Sequence, residues 1–127
     1  MKAEEYAKKD AYAAHNGVEL LEAKEGSAKA KLFLKEYHLN GMGITHGAAL
    51  FTLADFTFGA AANSHEYDAV TINVHMSFLK STKAGDTLYC EATEINLRGR
   101  VGSYHVQITD ADGQVIAIFE GLAYRKF

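Results

Sequence analysis

Thr45-His46-Gly47-Ala48-Ala49-Leu50-Phe51-Thr52-Leu53-Ala54-Asp55-Phe56-Thr57-Phe58-Gly59-Ala60-Ala61-Ala62-Asn63, residues 45–63, is the stretch on which the fold turns. From Gly47 to Ala62 it is apolar on every side of a helical wheel, the mark of a helix buried all round. One carboxylate interrupts it. Asp55 has apolar neighbours on both sides and no Lys or Arg within the helix, so an ionised side chain there costs several kcal/mol unless something compensates it. The approach to the helix, Gly41-Met42-Gly43-Ile44-Thr45-His46-Gly47, is flexible and free of proline. It leaves backbone N–H groups unpaired at the helix N-terminus, where partial positive charge accumulates and an oxyanion can bind.

Strand patterns flank this helix on both sides. Residues 18–23 and 28–34 read as two strands joined at Glu25-Gly26-Ser27, behind an amphipathic N-terminal helix over 1–16 that ends at Asn16-Gly17 and serves as a lid or brace. After the helix, 70–78 alternates strictly, which predicts Val70, Ile72, Val74, Met76 and Phe78 on one packed face. Three more strands follow over 87–95, 103–108 and 115–124, separated by Arg98-Gly99-Arg100 and Asp110-Ala111-Asp112-Gly113. Two strands, a helix over 46–64 and a four-stranded meander over 68–125 predict an α+β domain, an antiparallel sheet wrapped around one helix.

The whole chain sets the limits. At 127 residues it is one domain, 1–127, able to bury about two-thirds of its unfolded surface around a single core. A net charge of −3 with both signs scattered provides no basic face for nucleic acid. Cys90 is the single cysteine and the six histidines show no ligand spacing, so neither a disulfide within the chain nor a metal site is expected. No run reaches membrane-spanning length and the first ten residues are charged, which predicts a cytoplasmic protein.

The run Asn40-Gly41-Met42-Gly43-Ile44-Thr45-His46-Gly47 through Asp55, with Asn63-Ser64, Val74 to Phe78, Lys83-Ala84-Gly85-Asp86 and Asn96-Leu97, resembles the signature of hotdog-fold acyl-CoA thioesterases of the PaaI-like, phenylacetic-acid-degradation branch. The likeness covers about residues 17–125, and it departs from the family at Ala48, where a second glycine commonly follows the histidine. The resemblance implies a hotdog fold and hydrolysis of an acyl-CoA thioester with no cofactor beyond the CoA of the substrate. It also implies a homodimer with a continuous sheet, often paired into a homotetramer. It assigns the Gly47 N–H, helped by Asn40, to the thioester carbonyl, Asp55 to activating water or attacking the carbonyl, and Thr71 to holding the water.

Those residue types suit the chemistry. A fixed backbone donor in a dry site contributes about 3 kcal/mol against the charge that builds on the carbonyl oxygen, and a desolvated Asp is a stronger base than a solvated one. Asp55 lies eight residues after Gly47, about 12 Å along one helix and too far for both to serve one carbonyl. Two helices packed antiparallel across a dimer would bring Gly47 of one chain to Asp55 of the other. Substrate contacts are expected from His46, Asn73 and Phe51, with Phe56 and Phe58 also lining the acyl tunnel, and from Arg98 and Arg100 at the CoA phosphates ahead of Lys80 and Lys83. Each has a plain structural alternative: a capping histidine, a turn asparagine at 40, strand hydroxyls and amides that satisfy the backbone, and solvated charges. Two other functions compete, a non-catalytic acyl-CoA-binding module and an acyl-thioester hydratase or dehydratase. The desolvated Asp55 argues against the first. Proline-rich sequence around the active-site helix, typical of the second, does not occur in a chain with no proline.

Overall fold

Asp10 decides how the chain begins. Its carboxylate accepts the Ala13 N–H at 3.0 Å and caps a new helix, so the single N-terminal helix expected over 1–16 is instead two, α1 (Lys2–Lys9) and α2 (Ala11–His15). In this computed structural model, which describes residues 2–126, the remaining elements are β1 (Glu19–Lys24), β2 (Ser27–Phe33), a 3-10 turn (Glu36–His38), α3 (Gly47–Ala62), β3 (Asp68–Phe78), β4 (Thr87–Arg98), β5 (Val101–Thr109) and β6 (Val115–Lys126). The strands form one antiparallel sheet in the order β1-β2-β4-β5-β6-β3, folded around α3.

That order corrects the expected meander. β4, β5 and β6 are hairpin neighbours, but β3 lies beyond β6, and residues 79–86 carry the chain across to β4. The crossing has its own bonds. Leu79 and Lys80 donate N–H groups to the Ile116 carbonyl, Gly85 donates to Leu34, and the Thr82 carbonyl accepts the Thr45 N–H at 3.0 Å. A buried Thr82 Oγ1 donates to Thr45 Oγ1 at 2.7 Å, so the crossover clamps the residues just ahead of α3.

The core lies between α3 and the concave face of the sheet. Ala28, Ala30 and Leu32 of β2, with Leu88, Cys90 and Ala92 of β4, alternate with exposed residues in the period of two that a half-buried strand requires. The small alanines let the helix approach closely, and Leu53 and Phe58 fill the space that remains, Phe58 meeting Phe119 and Tyr104 at 5.5 and 5.4 Å. Truncating Leu53, fully buried, would cost about 3–5 kcal/mol.

β3 departs from strict alternation. A bulge between Thr71 and Asn73 makes Ile72 an extra residue and reverses the faces beyond it. Val70 opposes the exposed Tyr124 on the outer face, whereas Val74 and Met76, opposite Gly121 and Phe119, face the helix. The predicted single face of Val70, Ile72, Val74, Met76 and Phe78 is therefore split. The bulge also separates Thr71, opposite buried Ala123, from Asn73, opposite the half-exposed Leu122 on the outer face.

Candidate active site

The site begins at the helix cap. His46 is extended (φ −66, ψ 136), and its Nδ1 accepts the Ala48 N–H at 2.9 Å while its carbonyl accepts those of Ala49 and Leu50. With the His46 N–H given to the His38 carbonyl, three of the four orphan donors at the helix start, those of His46, Ala48 and Ala49, are used. The fourth, the N–H of Gly47, makes no hydrogen bond among the described residues. It opens onto a cleft of about 370 Å³ beside Ile44, Leu50, Phe78 and Thr82. A Cβ at Gly47 would stand 3.4 Å from Phe78 Cζ, so the glycine keeps the donor approachable.

The loop before the helix is tied down from below. Buried His38 accepts the Lys35 N–H on Nδ1 and lies 2.8 Å from the Asn16 carbonyl through Nε2, and its own carbonyl accepts the His46 N–H at 2.7 Å. Nothing in the sequence singled out His38. Asn40 shapes the turn: its Oδ1 accepts the N–H groups of Met42 and Ile44, at 2.9 and 3.4 Å. The turn role and the donor role are compatible, because using Oδ1 this way leaves the Asn40 Nδ2 donors without a partner among the described residues.

Asp55 occupies the one exposed stripe of α3. The helix is buried except along Gly47, Ala48, Phe51 and Asp55, a stripe spaced three and four apart, so the all-round burial read from the sequence holds everywhere but there. The Asp55 carboxylate makes no hydrogen bond or ion pair among the described residues, so it is not a structural carboxylate satisfied by the backbone. Burial raises its pKa above the ordinary aspartate value, and the charge of Asp10 raises it further. Tyr6 of α1 packs beside it, its phenol pKa pushed up by burial, then by the charges of Asp55 and Asp10.

The other expected residues divide into two groups. Thr71 faces the helix and lines a groove of about 220 Å³ with Tyr6, Phe58, Gly59 and Ala62, one helical turn beyond Asp55. Phe51 is exposed on the Asp55 stripe with its ring 5.7 Å from Phe119. Phe58 reaches the groove wall, while Phe56 is buried and meets Tyr6 at 6.3 Å. Asn73 does not line the groove that Thr71 lines. It lies on the outer face of the sheet in a hollow with His75, Ile95 and Glu120, for the reason that the Ile72 bulge turned it there. Arg98 ends β4, and Arg100, in the β4–β5 turn, stands 5.9 Å over the Tyr124 ring. Within one chain this is the end of the sheet where β3 starts, about 24 Å, the length of α3, from the Gly47 end beside Phe78.

One further cluster ties the helix to the sheet. His65 Nε2 and the Tyr104 hydroxyl both meet Glu94 Oε2, at 2.6 and 2.8 Å, joining the C-terminal end of α3 to the sheet. Among the described residues no group of three or more His, Cys, Asp or Glu side chains is arranged to hold a metal ion, and no helix is long and apolar enough to cross a membrane.

A single long helix inside a wrapped antiparallel sheet, with a bare N–H at the helix tip and an unbonded carboxylate two turns on, is an arrangement suited to reaction at an acyl carbonyl. The thioesterase superfamily model matches residues 42–117, more than half of the chain, and the chain belongs to that family. It is a hotdog-fold, PaaI-like enzyme of the thioester-hydrolysing kind. The acyl-coenzyme A thioesterase PaaI of Escherichia coli is 33% identical over 116 residues, 91% of this chain and 83% of that protein. The solved structure of E. coli PaaI matches with a TM-score of 0.95 at 31% identity, over 99% of this chain and 91% of the other. The Streptococcus mutans protein smu.793, solved bound to acetyl CoA, matches with a TM-score of 0.83 at 25% identity, over 87% and 89% of the two chains.

Proposed function

We propose that two copies of this chain form an acyl-CoA thioesterase acting on an aromatic or medium-chain acyl group. The observation that carries this reading is the pair of unsatisfied groups on one exposed stripe of α3, the Gly47 N–H and the Asp55 carboxylate. The carbonyl oxygen of the thioester accepts the Gly47 N–H, with Asn40 Nδ2 as second donor, and these donors stabilise the charge that develops there by about 3 kcal/mol each at most. Asp55 of the second copy, its basicity increased by desolvation, takes a proton from a water held by Thr71 Oγ1, or attacks the carbonyl itself. In both courses the C–S bond breaks and the CoA thiol departs with a proton; in the first the acyl carbon gains its oxygen from water, and in the second it gains an Asp55 carboxylate oxygen, the anhydride then being opened by water at the Asp55 carbonyl to restore the carboxylate. Oxygen-18 incorporation under single turnover separates the two.

The dimer follows from the separation of about 12 Å between Gly47 and Asp55 along α3. A two-fold axis that sets two such helices antiparallel builds two equal sites. It also carries the Arg98 and Arg100 end of each partner toward the Gly47 end of the other, within reach of the CoA phosphates. His46, with Nδ1 engaged by Ala48, keeps its Nε2–H on an exposed ring for the substrate, and Phe51 provides apolar contact. The exposed Ile95, Val101 and Leu122 on the outer sheet face give two dimers a surface on which to pair as a tetramer. Cys90 is buried with its thiol pushed up to about 12, inert and consistent with a reducing cytoplasm.

Thiol release from a panel of acyl-CoAs tests the activity. Turnover unaffected by Asp55→Ala would remove the mechanism, and CoA-thioester binding without hydrolysis by the wild type would make the protein a binding module instead. The shared site has a sharper test. Equal amounts of Gly47→Pro and Asp55→Asn chains, allowed to exchange, should recover about a quarter of wild-type activity, since half the dimers are mixed and each mixed dimer has one intact site. No recovery despite exchange would rule out a site built across the dimer.

A further inference from the structure

One turn after Asp55 the helix carries no side chain, and a side chain from α1 fills the gap. A Cβ at Gly59 would collide with the Tyr6 phenol oxygen and Cζ. The Tyr6 ring also meets Phe56, tilted at 38°, and the start of α1 is joined to the start of β3 by the exposed ion pair between Lys2 Nζ and Asp68 Oδ1 at 2.7 Å. Tyr6 is thus seated without clearance against Gly59, one helical turn beyond the proposed reacting carboxylate.

The groove containing Thr71 ends at this ring. All its other walls belong to α3, the cap of α3, β3 and β6. Beyond Tyr6 lies a second hollow of about 400 Å³, lined by charged groups that include Lys2, Glu5, Lys9, Asp10 and Asp68. The two spaces share Tyr6 and Asn63. The Asn63 amide is fixed, its Nδ2 donating to Gly59 and Ala69 carbonyls and its Oδ1 accepting the Ala69 N–H. The Tyr6 ring is therefore the removable partition between an apolar groove and a charged, open one. Burial and the negative charges of Asp55 and Asp10 hold the phenol in its neutral form, so the partition itself is uncharged.

Volume sets what fits behind it. A cavity of about 150 Å³ accepts benzene, so about 220 Å³ holds a ring with one or two further carbons, or a medium-length chain. We propose that Tyr6 is the specificity-determining residue of the acyl groove, its ring closing the far end so that an arylacetyl-sized or medium-chain group is accepted and a longer one is refused. This assignment rests on the acyl-CoA thioesterase reading above.

The test compares phenylacetyl-, hexanoyl- and dodecanoyl-CoA hydrolysis by the full chain and its variants. Wild type should favour the first two. Tyr6→Ala should raise the dodecanoyl-to-phenylacetyl ratio of kcat/KM by about tenfold or more, chiefly through KM for the long chain. Gly59→Ala, which displaces the ring without altering it, should move the same ratio in the same direction, while Tyr6→Phe should keep the wild-type ratio. An unchanged ratio in whichever of Tyr6→Ala and Gly59→Ala folds, or a wild type that already prefers dodecanoyl-CoA, overturns the assignment alone. Release of no thiol from any thioester by the wild type overturns the thioesterase reading and this assignment with it, so the two failures are told apart.

Discussion

The two edges of the sheet are built on opposite plans. β1 is short, carries Glu19, Glu22 and Lys24, and ends the sheet as natural edges commonly do, with charge and a bulge at Leu21. β3 is nearly twice as long, exposes Val70, Ile72 and Phe78, and borders both the cleft at Gly47 and the groove beyond Asp55. A charged edge refuses a further strand, and a long apolar one invites it. The cleft at Gly47 and the groove lined by Thr71 both border the inviting edge.

The contrast breaks most visibly in activity. Asp55→Asn should lower kcat by about a thousandfold, the contribution typical of a positioned base, with the fold intact by circular dichroism. Gly47→Pro should cost about a hundredfold. Proline suits the first helical position after an extended His46 and removes only the N–H, whereas Gly47→Ala keeps that donor and should retain most of the rate. Equal losses in the two Gly47 variants would show that bulk against Phe78, rather than the missing donor, is what matters.

A matched pair of edge substitutions sharpens it next. Leu21 and Ile72 are the extra residues of their bulges, 51% and 52% exposed. Ile72→Lys should reduce the solution mass by about half and kcat/KM at least about tenfold, while Leu21→Lys changes each less than about twofold. Light scattering with assay at equal concentration checks both, and symmetric outcomes would dissolve the distinction between the edges.

The smallest effect is on stability. Because the folded pKa of Asp55 is raised above its unfolded value of 3.8, the folded chain binds the proton more tightly, and stability falls as pH rises through the window between the two. Asp55→Asn should therefore raise the Tm at pH 7, a gain that shrinks toward zero below the ordinary carboxylate range. The same shift places the acidic limb of kcat/KM above the range of a solvated aspartate.

Much of this was legible in advance. Helix α3, the hairpins, the lone carboxylate and the glycine at the helix start follow from apolar periodicity, turn composition and an uncompensated charge, all local properties. The misreadings have three causes. The N-terminal helix split at Asp10 through a local cap bond to Ala13, β3 paired with β6 rather than with β4 through bonds to residues distant in the sequence, and Asn73 turned to the outer face through a single inserted residue. A one-residue bulge reverses every side chain after it, and alternation alone cannot reveal where it falls.

The sequence by itself determined that one apolar helix would be buried in a sheet and that a carboxylate on it would go uncompensated, because hydrophobic spacing and charge are written residue by residue. Only the tertiary structure decided which N–H at the helix tip stays unbonded, which face of β3 meets the groove, and that Tyr6, from the other end of the chain, stands over Gly59. Those outcomes depend on which distant groups satisfy one another, and hydrogen-bond partners and close contacts of that kind exist only once the chain has closed on itself.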